Sequence, residues 1–313
     1  MFNTIVVPLD GSEESNVSLP LARSLAQSRG GSIWLLRVAP ESVLPDDHTA
    51  THEAGESIER IARELASSGV DVHPVIREGD AAQEIVHLSR DVGADLIVMR
   101  TRGRCGLERA VFGSVAEEVL KKSSIPLVLV RPGGRRTSHI RKLLVPVDGS
   151  PGGAVALRTA AEFAQATRAS IKIVQVVVPI PMHVYAAPYD YASAAFYDSA
   201  WDDDALASAR VYVDAVALRL RNLGLSVDAE ARMARSCGGG VAEAIVETAE
   251  QASVDLIVMS TQALTGPARA LLGSVADAVV RTSHCPVLLV HRAEPPQEPT
   301  SSPEVNRGIA ASS

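Results

Sequence analysis

Cysteine is nearly missing from this chain. Three occur in 313 residues (Cys105, Cys237, Cys285), an odd number with no C-x-x-C pair, which leaves neither a disulfide framework nor a zinc site to build on. Aromatics are scarce at 4% against 46% hydrophobic residues, so small aliphatics must fill the interior. No apolar run approaches the ~18 residues of a membrane span. Met1-Phe-Asn leads into the first strand without a basic n-region or cleavage site, so the expectation is a cytoplasmic protein with no membrane partner, in which the sequon Asn16-Val17-Ser18 has no meaning. A net charge of −7 argues against a nucleic-acid surface. The enzyme signatures G-x-G-x-x-G after a strand, Gly-Lys of a Walker A loop, H-E-x-x-H and G-x-S-x-G are also absent. His73, His87 and His284 fall on or beside regular elements, where a structural role is expected. No base–nucleophile pair can be named, and no catalytic or metal-binding residue is assigned.

What the chain does have is written twice. Asp10-Gly11-Ser12 ends the apolar run Thr4-Ile-Val-Val-Pro-Leu9, and Asp148-Gly149-Ser150 ends Leu143-Leu-Val-Pro-Val147. About a hundred residues after each stands a second matched pair, Ala110-Val-Phe-Gly113-Ser114-Val-Ala116 and Ala270-Leu-Leu-Gly273-Ser274-Val-Ala276. The offset is 138 at the first motif (10 to 148) and 160 at the second (113 to 273), so copy two carries 22 extra residues. A repeat of this length, two to a chain, points to two domains.

Within each copy, short Val/Ile/Leu runs alternate with amphipathic segments. Strands are expected at Thr4–Leu9, Ser32–Val38, Val70–Ile76, Leu96–Arg100 and Leu127–Arg131, with helices near 13–29, 56–68, 80–92 and 113–122. Copy two gives strands at Lys142–Val147, Ser170–Val178, Ser226–Met233, Leu256–Met259 and Val287–His291, with helices near 152–167, 203–223, 240–252 and 273–282. Near-continuous apolar strands mark a parallel sheet covered on both faces. The expected fold is α/β: two tandem three-layer α/β/α domains, each a five-stranded parallel sheet. The expected boundaries are 1–132 for the first domain, 133–140 for a solvated linker, 141–293 for the second domain, and 294–313 for a tail too poor in apolar residues to fold. The extra residues of copy two fall mainly at about 179–204. That stretch holds four of the five tyrosines, Phe196, Trp201 and five aspartates, but no Lys or Arg. It is either a flap over apolar surface or the inter-domain seam, or a lid or partner-docking loop.

In open α/β sheets, ligands lie at the carboxyl ends of the strands. Asp10 and Asp148 sit there, where a carboxylate suits a ribose hydroxyl or an adenine amino group; the alternative is that each only caps the following turn. The other wall is the loop after strand four. In copy one it contains Gly103, Gly106 and Gly113, which let backbone approach a phosphate, ahead of a helix opening near Ser114. Arg100, Arg102 and Arg104 add positive charge, and Cys105 among them is either activated or a passive thiol. Ser114-Val-Ala-Glu117 also reads as a capping box, with Ser274-Val-Ala-Asp277 a weaker form of it.

Together these residues resemble the universal stress protein family in a tandem two-domain form, over about residues 3–131 and 141–291. The family's pattern joins a strand-one Val-Pro-x-Asp to a strand-four Gly-x-x-Gly, nine residues, then Gly-Ser/Thr. Copy one has Val7-Pro8-Leu9-Asp10, Gly103, nine residues and Gly113-Ser114. Copy two has Val145-Pro146-Val147-Asp148, then Leu264–Leu272 before Gly273-Ser274. The resemblance implies a Rossmann-like, adenine nucleotide alpha hydrolase-like domain with strand order 3-2-1-4-5, and last strands that pair the copies into an internal pseudo-dimer. It implies ATP or AMP as ligand, with Mg²⁺ arriving on the nucleotide, and a role in stress-response regulation through a protein partner that it does not name. A homodimer of chains stays open.

Carried over position by position, the nucleotide contacts would be Pro8, Asp10, Val38, Arg100, Gly103, Gly113, Ser114 and Val115 in copy one. In copy two they would be Asp148, Val176, Ser260, Gly273, Ser274 and Val275. This chain departs from the pattern in three places. Arg100 stands where the first Gly belongs and either grips phosphate or fills the pocket. Ser260 takes that place in copy two, and Ala263 replaces the second Gly. With Arg269 the only cation in its loop, copy two is expected to be degenerate or AMP-like and copy one to bind ATP better. The alternatives are an interaction scaffold with degenerate nucleotide sites, or a slow ATP hydrolase.

Overall fold

A computed structural model of the chain describes residues 2–39, 49–101, 113–135, 138–179, 199–235, 240–261 and 272–291. Gly103, Cys105, Cys237, Ala263, Arg269, most of the 179–204 insertion and the 294–313 tail lie outside the described residues.

Copy one runs β1 (Thr4–Leu9), a 3-10 helix (Glu13–Ser18), α1 (Leu19–Arg29), β2 (Ser32–Ala39), α2 (Thr49–Ala66), β3 (Asp71–Glu78), α3 (Ala81–Asp91), β4 (Leu96–Arg100), α4 (Ser114–Lys122) and β5 (Leu127–Val130). Copy two follows with β6 (Lys142–Pro146), α5 (Pro151–Thr167), β7 (Ser170–Val177), α6 (Ser199–Asn222), β8 (Val227–Met233), α7 (Gly240–Gln251), β9 (Leu256–Ser260), α8 (Ser274–Thr282) and β10 (Val287–Val290). The helix expected over 13–29 is split at Leu19-Pro20. Proline has no N–H and its ring crowds the carbonyl four residues back, so the tighter 3-10 turn ends and the α-helix starts afresh there. Helix α2 begins seven residues before the expected 56, and α6 takes in the last six residues of the insertion.

The strands form a single ten-stranded sheet in the order β3-β2-β1-β4-β5-β10-β9-β6-β7-β8. Each half is parallel and has the expected order 3-2-1-4-5. The halves join antiparallel through β5 and β10, with Val128 opposite Leu288. Helices α1, α2, α5 and α6 cover one face, and their apolar sides share a core with Ile5, Val7, Val128, Leu143, Val145 and Leu288. Helices α3, α4, α7 and α8 cover the other face over Val6, Ile97, Leu129, Leu144, Ile257 and Leu289. Both cores run through both copies. Phe2 of copy one meets Phe163 of α5 edge-on, ring centres 4.6 Å apart. Within the segment expected to be a solvated linker, Arg135 donates its backbone N–H to the His284 carbonyl of copy two at 2.8 Å. Among the described residues no helix is long and apolar enough to cross a membrane.

The clefts arise from where the central strands stop pairing. β1 pairs with β4 only at Ile5↔Leu96 and Val6↔Ile97, and β6 with β9 only at Leu143↔Leu256 and Leu144↔Ile257. The Thr4 and Lys142 carbonyls accept from Asp95 and Asp255 at the mouths of β4 and β9, so every second residue onward faces the same neighbour. Pro8 and Pro146 are therefore the positions whose missing N–H would have continued those ladders. Past them the strands diverge, and a crevice opens at the carboxyl edge in each copy.

Candidate functional site

Each crevice is walled by the expected residues. Pro8, Asp10, Val38, Arg100, Gly113, Ser114 and Val115 line a cavity of about 230 Å³ in copy one, closed from below by Ala81 and Ile85 of α3. Asp148, Val176, Ser260, Gly273, Ser274 and Val275 line one of about 370 Å³ in copy two, against Val241 and Ile245 of α7. Of the fourteen residues assigned from the sequence, Gly103 alone lies outside the described ones.

The two capping alternatives separate here. Ser114 and Ser274 do not cap their helices: the N-caps are Gly113 and Gly273, and each serine is the first helical residue. The capping-box reading is corrected on this point. Glu117, its supposed partner, instead accepts from Lys121 at 2.6 Å, an ordinary i,i+4 pair on the helix surface. Neither serine hydroxyl has a hydrogen-bond partner among the described residues, and each stands at a helix N-terminus whose first amides are free. The strand-one aspartates do shape their turns. Asp10 Oδ1 accepts from Ser12 N–H at 3.0 Å and from its hydroxyl at 2.6 Å, and Asp148 Oδ1 accepts from Ser150 N–H at 2.9 Å. The helix-capping itself falls to Ser12 and Ser150, leaving the second carboxylate oxygen of each aspartate for another partner.

That second oxygen divides the copies. In copy one, Arg100 Nη2 donates to Asp10 Oδ2 and Arg100 Nη1 to Glu14 Oε2 at 3.0 Å. The Arg100 side chain is only 16% exposed, against 53% for that of Asp10 and 48% for that of Glu14, so it lies inside the crevice mouth rather than in solvent. Burial pushes the Asp10 carboxyl up, but the hydrogen bonds from Ser12 and Arg100 outweigh it and hold the pKa down at about 2. In copy two, Ser260 replaces Arg100, and at the offset of 138 Gly152 replaces Glu14. A Cβ on Gly152 would stand 2.7 Å from Ser260 Oγ, so α5 and β9 approach here as closely as glycine allows. Asp148 Oδ2 keeps no hydrogen bond among the described residues. The Arg100–Glu14 pair thus engages the strand-one aspartate of copy one, whereas in copy two Ser260 and Gly152 pack on each other and leave Asp148 Oδ2 unengaged among the described residues. Nothing in the sequence pattern singled out Glu14 or Gly152, because their role appears only when β4 and the segment after β1 are brought side by side.

Among the described residues, no His, Lys or Cys lines either cavity. His73 lies against Asp71 at 3.0 Å and stacks on Trp34, and His87 lies against Glu84 at 3.3 Å. Cys285 is buried, with its thiol on the Val254 carbonyl and its pKa raised by burial. Among the described residues, no cluster of three His, Cys, Asp or Glu could hold a metal ion.

Comparison with known proteins agrees with this arrangement. The model of the Universal stress protein family matches residues 1–131 and again 139–291. A universal stress protein of Mycolicibacterium smegmatis is 25% identical over 303 residues, covering 91% of this chain and 96% of that protein. Another, from Methanocaldococcus jannaschii, is 33% identical over 141 residues, covering 42% of this chain and 83% of its own length. The crystal structure of a universal stress protein from Archaeoglobus fulgidus superimposes with a TM-score of 0.69 at 22% identity, over 93% of this chain and 99% of that one. With two matches that together span nearly its whole length, this chain belongs to the universal stress protein family, as a tandem of two such domains.

Proposed function

We propose that the chain is an adenine-nucleotide-binding regulator of a stress response whose principal site is the crevice of copy two. The observation that carries this reading is the pairing of an uncommitted Asp148 oxygen with the free Ser274 hydroxyl and helix-α8 amides around one cavity of about 370 Å³, inside the ~300–1,000 Å³ range of small-molecule sites. Asp148 would accept from a ribose hydroxyl or the adenine amino group, Val176 would offer backbone to the base, and Gly273, Ser274 and Val275 would receive phosphate. Copy one has the same parts, but its cavity of about 230 Å³ falls below that range and its aspartate is already ion-paired. This order reverses the one expected from loop composition, where copy one's arginines favoured it: a cation helps phosphate only if it is not spent on a carboxylate of the same site.

Binding, rather than turnover, fits the chemistry of both walls. Among the described residues neither cavity is lined by a His, Lys or Cys, and a carboxylate held at about 2, as Asp10 is, makes a poor general base at neutral pH. Mg²⁺ would enter with the nucleotide's phosphates. The scaffold reading draws support from Arg100 in copy one, from Ala263 and from the acidic, aromatic insertion at about 179–204, of which the latter two fall largely outside the described residues.

The test is calorimetric titration of the full chain with ATP and with AMP, joined to mass spectrometry of small molecules that co-purify. Asp148→Ala should abolish the principal binding event while Asp10→Ala leaves it. Loss on Asp10→Ala alone would assign the nucleotide to copy one, and no binding of either nucleotide would leave the scaffold reading standing.

A further inference from the structure

A third cavity, of about 310 Å³, lies in copy one on the opposite face of the sheet from the nucleotide crevice, between the 3-10 helix, the end of β2 and α2. Its lining includes the charged Arg37, Arg60 and Glu13, with Asn16 and three serines, Ser12, Ser15 and Ser57. Arg37 reaches it because side chains alternate along β2: Leu36 packs into the α3/α4 core, so Arg37 points to the α2 side. There it covers Gly11, whose φ is +81°, and a Cβ at that glycine would stand 2.6–2.8 Å from the guanidinium.

The polar groups in this cavity are under-used. Of the five donors of its guanidinium, Arg37 commits one among the described residues, from Nη1 to the Leu9 carbonyl at 3.3 Å. Its Nε is buried with no partner, and so is Asn16 Oδ1. Those two atoms are sealed from the cavity, so what it offers a ligand is the rest of the Arg37 guanidinium, whose Nη2 makes no hydrogen bond among the described residues. Among the described residues, Arg60 has no ion pair and the lining holds one acidic group, Glu13, so the described wall is net positive in a chain of net charge −7. In copy two, Gln175 stands where Arg37 does, so the positive wall belongs to copy one.

We infer that this cavity binds a phosphate group, as free hydrogen phosphate or as a small phosphate ester. Arg37 and Arg60 donate to its charged oxygens, where a planar guanidinium suits phosphate best. This assignment does not depend on the nucleotide reading.

The experiment is ³¹P NMR of inorganic phosphate titrated with the full chain near pH 7, repeated with glycerol phosphate. Saturable line broadening is expected. Arg37→Gln, which installs the residue copy two tolerates, and Arg60→Ala, on the exposed side of α2, should each weaken binding at least ~10-fold, the ~1.4 kcal/mol or more of a charged hydrogen bond. Asp148→Ala should leave it unchanged. Tighter binding of glycerol phosphate would identify an ester as the ligand, and equal binding would identify free phosphate. The assignment is overturned if broadening does not saturate, if it survives both arginine substitutions, or if Asp148→Ala removes it, since phosphate would then be sitting in the nucleotide crevice.

Discussion

Arg100 and Ser260 occupy the same place in two copies of one domain and do opposite things. The arginine draws Asp10 and Glu14 into an ion-paired lid over its own crevice, while the serine lets Gly152 close in and leaves Asp148 open. Replacing Arg100 by Gly should convert the first site toward the second and add a second nucleotide-binding event to the titration. It should also alter acid stability in a definite direction. Asp10 titrates at about 2 when folded against 3.8 ordinarily, so its contribution is fully present above pH ~4 and is lost as pH falls through ~2. Arg100→Gly removes part of that depression, and the acid-unfolding midpoint followed by circular dichroism should move up in pH. An unmoved midpoint would mean that the pair is too exposed to matter. Arg100 stood out from the sequence as a departure, with gripping phosphate or filling the pocket both open. Which of the two it does depends on a contact 86 and 90 residues away along the chain, with Glu14 and Asp10.

Among the secondary-structure elements, the strands were the most legible part. Runs such as Leu96-Ile-Val-Met-Arg100 are buried almost throughout, and their observed bounds match those expected to within two residues. Helix starts were less legible, because they depend on which side chain captures the first amides, and at Ser114 a helix-start signal proved to be a residue inside the helix. Two aspartates that no motif flagged hold the central strands in place. Asp95 accepts from the Phe2 and Asn3 amides at 2.9 Å each, and Asp255 accepts from Arg141 and Lys142 at 2.9 and 3.1 Å, each fixing the entry of strand one beside strand four. Asp255→Ala strands two part-buried backbone donors. It should destabilise the chain by about 1.5–3 kcal/mol in urea unfolding, as charged hydrogen bonds do, and Asp255→Asn by less. A cost under ~0.5 kcal/mol for the alanine variant would show that water takes over those amides.

Across the molecule, the antiparallel β5–β10 pairing and two cores that pass from copy to copy make the tandem one cooperative body. Phe163 is fully buried in copy two yet packs on Phe2 of copy one. Phe163→Ala should therefore cost about 3–5 kcal/mol and lower the protection of both β1 and β6 amides in hydrogen exchange by similar amounts. Loss confined to β6 would mean that the copies open separately. In a single cooperative body, ligand bound at either crevice stabilises both halves.

The duplication and the parallel α/β fold could be read from the chain, because repeats and apolar runs are local patterns that survive without coordinates, and the strand order and the residues that ring each crevice came from the resemblance to a known family. The ion pair that sets copy one's crevice apart, the release of Ser114 and Ser274 from capping, and the cationic cavity beneath Gly11 could not be read from either. Each rests on the distance between groups far apart in sequence, such as Arg100 and Glu14, or on where a buried polar atom finds no partner. Packing alone sets such distances, and no spacing along the chain encodes them.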